Sequence, residues 1–98
     1  MIARDGDATV ACLQGDLEVS SARSVEATLD EELRARPTAL IVSLEGLEFL
    51  DSSGLRMLLL LHRNATRLRV PISFVRPQGA VRRTLDFARA TAYLGITD

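Results

Sequence analysis

Four small polar residues, Asp51-Ser52-Ser53-Gly54, separate a strongly apolar strand-like run from a strongly apolar helix-like run that extends from Ser52 to about Leu68 and is closed by Pro71. A helix that starts here leaves its first backbone N–H groups without intrahelical partners. The Asp51 carboxylate and the two serine hydroxyls are of the type and spacing that cap such groups. The same terminus carries partial positive charge and favours an anion. A phosphate on a serine at this point would add about −1.5 to −2 charges. Arg56, one turn on from Ser52, is placed to reach it, so the fold should tolerate the modification. The consequence would be external, because a partner docking on a small neutral surface would be repelled or left with unpaired buried groups. On the residues alone, a plain helix cap accounts for this junction, and a regulated serine is permitted by it.

Other chemistries find little support. One histidine, one cysteine and scattered acids provide no metal-ligand cluster. His62 falls within the apolar arc of the helix and reads as a partly buried structural residue. As a base for Ser52 it would stand roughly 15 Å away at 1.5 Å of rise per residue, beyond proton-transfer reach. A phosphate-binding loop needs a Gly-Lys-Ser/Thr end, and the chain contains twelve arginines and no lysine. The strained Gly-x-Ser-x-Gly turn of serine hydrolases is also missing. The expectation is a protein that is not an enzyme and needs no cofactor or metal. Cys12, in a strand of small apolar residues, reads as a buried space-filler rather than a reactive thiol.

At 100° per residue, Leu55, Met57, Leu58, Leu59, Leu61, Ala65 and Leu68 occupy one broad apolar arc of this helix. Arg56, Arg63 and Arg67 lie together near the opposite side, within about 40° of one another. Leu60 falls among these cations, where it either fills a gap or is exposed as a contact.

The elements that must position the junction follow from the rest of the chain. Its 98 residues suit one small domain, residues 1–98, with one core. An apolar content of 47% is that of a globular chain, and a net charge of −1 argues against general nucleic-acid binding. A lone cysteine fits a reducing compartment, and neither a signal peptide nor a membrane-length apolar run is visible, so a cytoplasmic location is expected. Met1–Ala3 and Thr9–Leu13 read as a hairpin about the Asp5-Gly6-Asp7 turn, with Gln14-Gly15-Asp16 breaking the second strand. Ser20 and Ser21 precede a helix with Ala22, Val25, Leu29 and Leu33 on its apolar face, ended by Pro37. The acidic outer face of that helix, with Glu26, Asp30, Glu31 and Glu32, reads as solvated.

Ala39–Leu44 is a near-continuous apolar run, as in a central strand covered on both faces. With the helix from Ser52 and the short strand Ile72–Val75 it makes a crossover unit with parallel strands. Pro77 is placed to open a third helix carrying Val81, Leu85 and Ala88. The tail from Thr91, with Tyr93, Leu94 and Ile96, should pack back on the sheet. The fold class is α/β: a small mixed sheet of four to five strands flanked by about three helices.

Leu44–Leu55, Leu-Glu-Gly-Leu-Glu-Phe-Leu-Asp-Ser-Ser-Gly-Leu, resembles the hallmark segment of the STAS domain family in its anti-sigma factor antagonist branch. Gly15-Asp16-Leu17-Glu18 with Ala22 resembles the Gly-Glu-Leu-Asp segment before that family's first helix. Val75-Arg76-Pro77 with Ala80-Val81-Arg82-Arg83 is similar to the segment that opens its third. This resemblance implies a bacterial transcription regulator that, when unphosphorylated, binds an anti-sigma factor serine kinase and releases the sigma factor. By the same resemblance Ser52 is the phosphoacceptor, Asp51 its motif neighbour and Ser53 a contact or cap, while a metal-dependent serine phosphatase reverses the switch. The implied contact surface comprises Asp51, Ser52, Ser53, Gly54, Arg56 and Leu60, on a protein that is monomeric when free and binds neither nucleic acid nor membrane.

Arg56 and Leu60 stand where the family commonly has small residues, which implies a bulkier docking surface. Gly95–Asp98 is too short for the extra terminal helix that many members carry. Related STAS domains also serve as constitutive scaffolds of stress complexes or as subunits of lipid-transport ATPase assemblies, an alternative without a phospho-switch. They occur too as tails of anion transporters, for which this chain lacks a membrane segment.

Overall fold

A computed structural model describes residues 1–98. Strands β1 (Ile2–Asp5) and β2 (Ala8–Leu17) form an antiparallel hairpin around Gly6, whose φ of 63° suits a residue without a Cβ. Helix α1 (Val19–Arg34) leads to β3 (Leu40–Leu50), and α2 (Ser52–Arg67) leads to β4 (Ile72–Val75). Both crossovers join parallel neighbours, so the sheet order is β1-β2-β3-β4. Helix α3 (Gly79–Phe87) and the five-residue α4 (Ala90–Leu94) complete the chain. The architecture is thus one α/β domain with a four-stranded mixed sheet and four helices, the fourth formed by the tail.

The central strand is covered as its composition requires, with Leu40, Val42 and Leu44 fully buried. A single cluster of 21 buried apolar residues joins it to Leu29 and Leu33 of α1, Leu58 and Leu61 of α2, Phe74 of β4 and Leu85 of α3. The tail packs back as expected: Leu94 is buried, and Thr97 bridges to Val75 at the edge of β4. Tyr93 does not follow it onto the sheet; the ring is exposed on one side and lies 4.9 Å from that of His62.

Several expected boundaries move, each for a physical reason. Gln14-Gly15-Asp16 does not end β2, which continues to Leu17, Gly15 taking a φ of 77°. Opposite it β3 runs on from Leu44 to Leu50 and carries the extra residue at two register shifts. Those bulges turn Leu44, Leu47 and Leu50 inward in succession and leave Glu45, Glu48 and Phe49 outside. Glu18 rather than a serine caps α1, its N–H donating to Ser21 Oγ at 3.1 Å, with both Ser20 and Ser21 inside the first turn. Pro77 is buried one residue ahead of the Gln78 cap and is not the first helical residue of α3. Cys12 is half-buried rather than enclosed, since it alternates along β2 with the buried Ala11 and Leu13 and so points to the other face.

Candidate functional site

The start of α2 is held by one carboxylate. Asp51 is the N-cap, its backbone extended, and its Oδ1 accepts from the Gly54 N–H at 2.9 Å. Its Oδ2 accepts from the Val19 N–H at 3.2 Å, at the first residue of α1. The Asp51 N–H in turn donates to the Leu17 carbonyl at 3.2 Å. The Asp51 side chain therefore satisfies orphan donors of two helices, while its backbone fastens the end of β2 to the end of β3. Asp51→Ala should lower stability by about 2 kcal/mol, with Asp51→Asn losing roughly half as much. Urea unfolding midpoints measure both.

With Asp51 as the cap, neither serine hydroxyl is needed for that role, and neither makes a protein hydrogen bond. Ser52 and Ser53 are the first two helical residues, and their own N–H groups have no intrahelical acceptor. Ser52 is exposed and Ser53 half-buried. Gly54 is buried because α2 starts in contact with the β2 backbone: a Cβ there would lie 2.2 Å from the Leu17 carbonyl oxygen and 2.7 Å from Leu50 Cδ1.

Two grooves flank this terminus and divide the expected contact residues between them. On the α3 side, Asp51, Ser52 and Leu55 line a groove of about 500 Å³ with Ala80, Arg83 and Phe87. On the α1 side, Ser53, Arg56 and Leu60 line one of about 180 Å³ with Val19, Arg23 and Glu26. Leu60 is half-buried there, a wall of the α1–α2 groove. Each groove carries a bare apolar residue, Val19 at 74% exposure and Phe87 at 92%. Arg83, Phe87 and Val19 were not singled out as contacts by sequence; for Arg83 and Val19 no local pattern points to the serines, whereas an apolar residue at the end of a short helix was available as a signal in Phe87.

His62 lines neither groove. It sits almost three turns further along α2, against Phe74 and Tyr93, with a buried Nδ1 that has no hydrogen-bond partner. No group of three or more His, Cys, Asp or Glu is arranged to hold a metal ion. No helix is long and apolar enough to cross a membrane.

The three segments that resemble one family meet at this place. The Leu17 carbonyl accepts the Asp51 N–H, while Ala80 and Arg83 line one groove with Ser52. The family model described as "Mlab, STAS domain" matches residues 1–95. The chain is a STAS domain. No curated protein matches it in sequence.

Solved structures share the fold. The protein TM1081 of Thermotoga maritima superposes with a TM-score of 0.91 at 17% identity, over 100% of this STAS domain and 85% of that chain. The anti-sigma factor antagonist SpoIIAA in its unphosphorylated form gives 0.82 at 20% identity, over 100% and 86%. An anti-sigma factor antagonist from Mycobacterium paratuberculosis gives 0.85 at 19%, over 99% and 82%. At such identities the likeness establishes the architecture of the STAS domain, and its chemistry has to be argued from its own residues.

Proposed function

We propose that this STAS domain is an anti-sigma factor antagonist, a protein-docking module whose binding is switched off by a phosphate on Ser52. The observation that carries the reading is an exposed serine between two grooves that each end on a bare apolar side chain. Phe87, at 92% exposure, lines one groove with Leu55, Ala80 and Ala88 beside Ser52, and an exposed apolar wall of this kind marks a protein contact. The partner class, an anti-sigma factor that is also a serine kinase, comes from the family resemblance. SpoIIAA, with the same fold, has been solved in phosphorylated as well as unphosphorylated form.

In the reaction proposed, Ser52 Oγ bonds to the γ-phosphorus of ATP as the bond to the bridging oxygen breaks. ADP leaves, and the hydroxyl proton passes to a base of the kinase. Incubation with the cognate kinase and ATP should add one phosphate, and Ser52→Ala should abolish the labelling. Labelling of Ser52→Ala as complete as that of wild type would overturn the assignment. A serine phosphatase would restore binding, and the contacts fall to Asp51, Ser52, Ser53, Gly54, Arg56 and Leu60 together with Phe87.

A second reading draws on the matched family model, which carries the name Mlab and not that of a sigma-factor regulator. On it the domain is a fixed subunit of a larger assembly, such as a stress complex or a lipid-transport ATPase, and the same two grooves are a permanent interface. Stable co-purification with that assembly, whatever the state of Ser52, would decide for it.

A further inference from the structure

We infer that Arg83, on α3, is the residue that receives a phosphate on Ser52, and that Arg56 is not. The inference rests on the proposed modification of Ser52 and assigns its counter-charge. Ser52 and Arg83 are both exposed and line the same groove. Arg56 follows Ser52 by one helical turn, yet its side chain lines the opposite groove, with Ser53, Arg23 and Glu26.

Arg83 is also uncommitted. Its neighbour Arg82 is paired with Asp98, and Arg76, just before α3, is paired with Glu45 at 3.5 Å, whereas no carboxylate lies within ion-pair distance of Arg83. The one acid in its groove is Asp51, and both oxygens of that carboxylate accept backbone N–H groups. Asp86, one turn on along α3, accepts the Thr91 hydroxyl at 2.5 Å. A guanidinium with five donors and no partner suits a phosphate oxygen, and of the unpaired arginines near the serine, Arg23, Arg56 and Arg83, only Arg83 lines the groove of Ser52.

The pairing would have a consequence for the switch. With Ser52 unmodified, Arg83 is free to meet an acidic group of the partner. With Ser52 phosphorylated, the same cation is occupied from within the chain, so one modification both adds negative charge and withdraws a positive contact.

The test needs neither kinase nor partner. Phosphoserine is installed at position 52 of the full chain by genetic code expansion or chemical ligation, and its second ionisation is followed by ³¹P NMR. The charges that bear on it are Asp51 and Arg83 in its own groove and Arg23, Arg56 and Glu26 in the other. A cation that faces the phosphate favours the dianion, so Arg83→Gln should move the titration midpoint upward by at least about 0.3 pH unit at low salt. Arg56→Gln should leave it in place. Arg83 is exposed, and matching ¹H–¹⁵N spectra of the unphosphorylated variants confirm that both fold. An unchanged midpoint in Arg83→Gln, or a larger shift in Arg56→Gln, overturns the assignment. Either result leaves the switch itself standing, whereas failure of kinase labelling at Ser52 removes the switch and leaves the titration unaffected.

Discussion

Gly54→Ala is expected to destabilise the domain by about 2 kcal/mol, although alanine is the better helix former by about 1 kcal/mol. The two effects oppose each other and their sizes decide the sign. Propensity applies to an exposed helix interior, whereas Gly54 is the third residue of α2 and is buried against β2. A Cβ would meet the Leu17 carbonyl oxygen at 2.2 Å, far inside contact distance. That oxygen is not free to retreat, because it accepts the Asp51 N–H and belongs to the strand end from which α1 departs. The helix would have to lift, and the Asp51 bonds to Gly54 and Val19 would lengthen together. Overpacking of a site that cannot yield costs about 3 kcal/mol, so the net loss exceeds the gain in propensity. Urea denaturation measures it. Gly6→Ala is the control: its φ is 63°, but nothing lies within 4 Å of the added Cβ, so only backbone strain of about 1 kcal/mol remains. If Gly54→Ala were as stable as wild type, close seating of α2 on β2 would not be what requires glycine there.

That contact shows where reading the chain by eye stops. The strand-helix-strand crossover was legible because an apolar run, a 3.6-residue period and two prolines are local signals, and the structure has β3, α2 and β4 where they point. Asp51 as a cap was legible for the same reason. Its second bond, to Val19 some thirty residues earlier, was not, because no pattern within α2 records what lies beside it. Ser and Asp share the capping propensity, so the pattern alone offers the serines for that role as well. In the folded chain the residue one position earlier takes the role, and this is what leaves the Ser52 hydroxyl free.

The true end of β3 was hidden for a different reason. Two bulges place its inward residues at Leu44, Leu47 and Leu50, and a spacing of three matches neither the period of a strand nor that of a helix. Arg83 illustrates the remaining gap. It lay in a segment noticed for family resemblance, but only the packing of α3 beside α2 sets it in the same groove as Ser52.

Phosphorylation of Ser52 should weaken partner binding about a hundredfold, equivalent to about 2.7 kcal/mol, while leaving the fold intact. Intactness follows from the geometry: Ser52 is exposed, its hydroxyl holds no protein bond, and negative charge at the first turn of a helix is stabilising by about 0.3–1 kcal/mol. The loss of affinity follows from what surrounds it. A partner that covers the groove seals Leu55 and Phe87 from water, and a phosphate between them would have to be stripped of hydration with only Arg83 to replace it. Ser52→Asp, with one charge and a shorter reach, should weaken binding at least about tenfold, or 1.4 kcal/mol. Phe87→Ala separates the apolar contribution. At 92% exposure it should change stability by no more than about 0.5 kcal/mol, yet cost more than about 1 kcal/mol of binding if the partner covers this face. Isothermal titration of the partner with wild type, phosphoserine protein and Phe87→Ala distinguishes the cases. Equal affinity for the first two would abolish the switch, and full affinity of Phe87→Ala would move the interface to the α1 side, where Val19, Arg56 and Leu60 form the other wall.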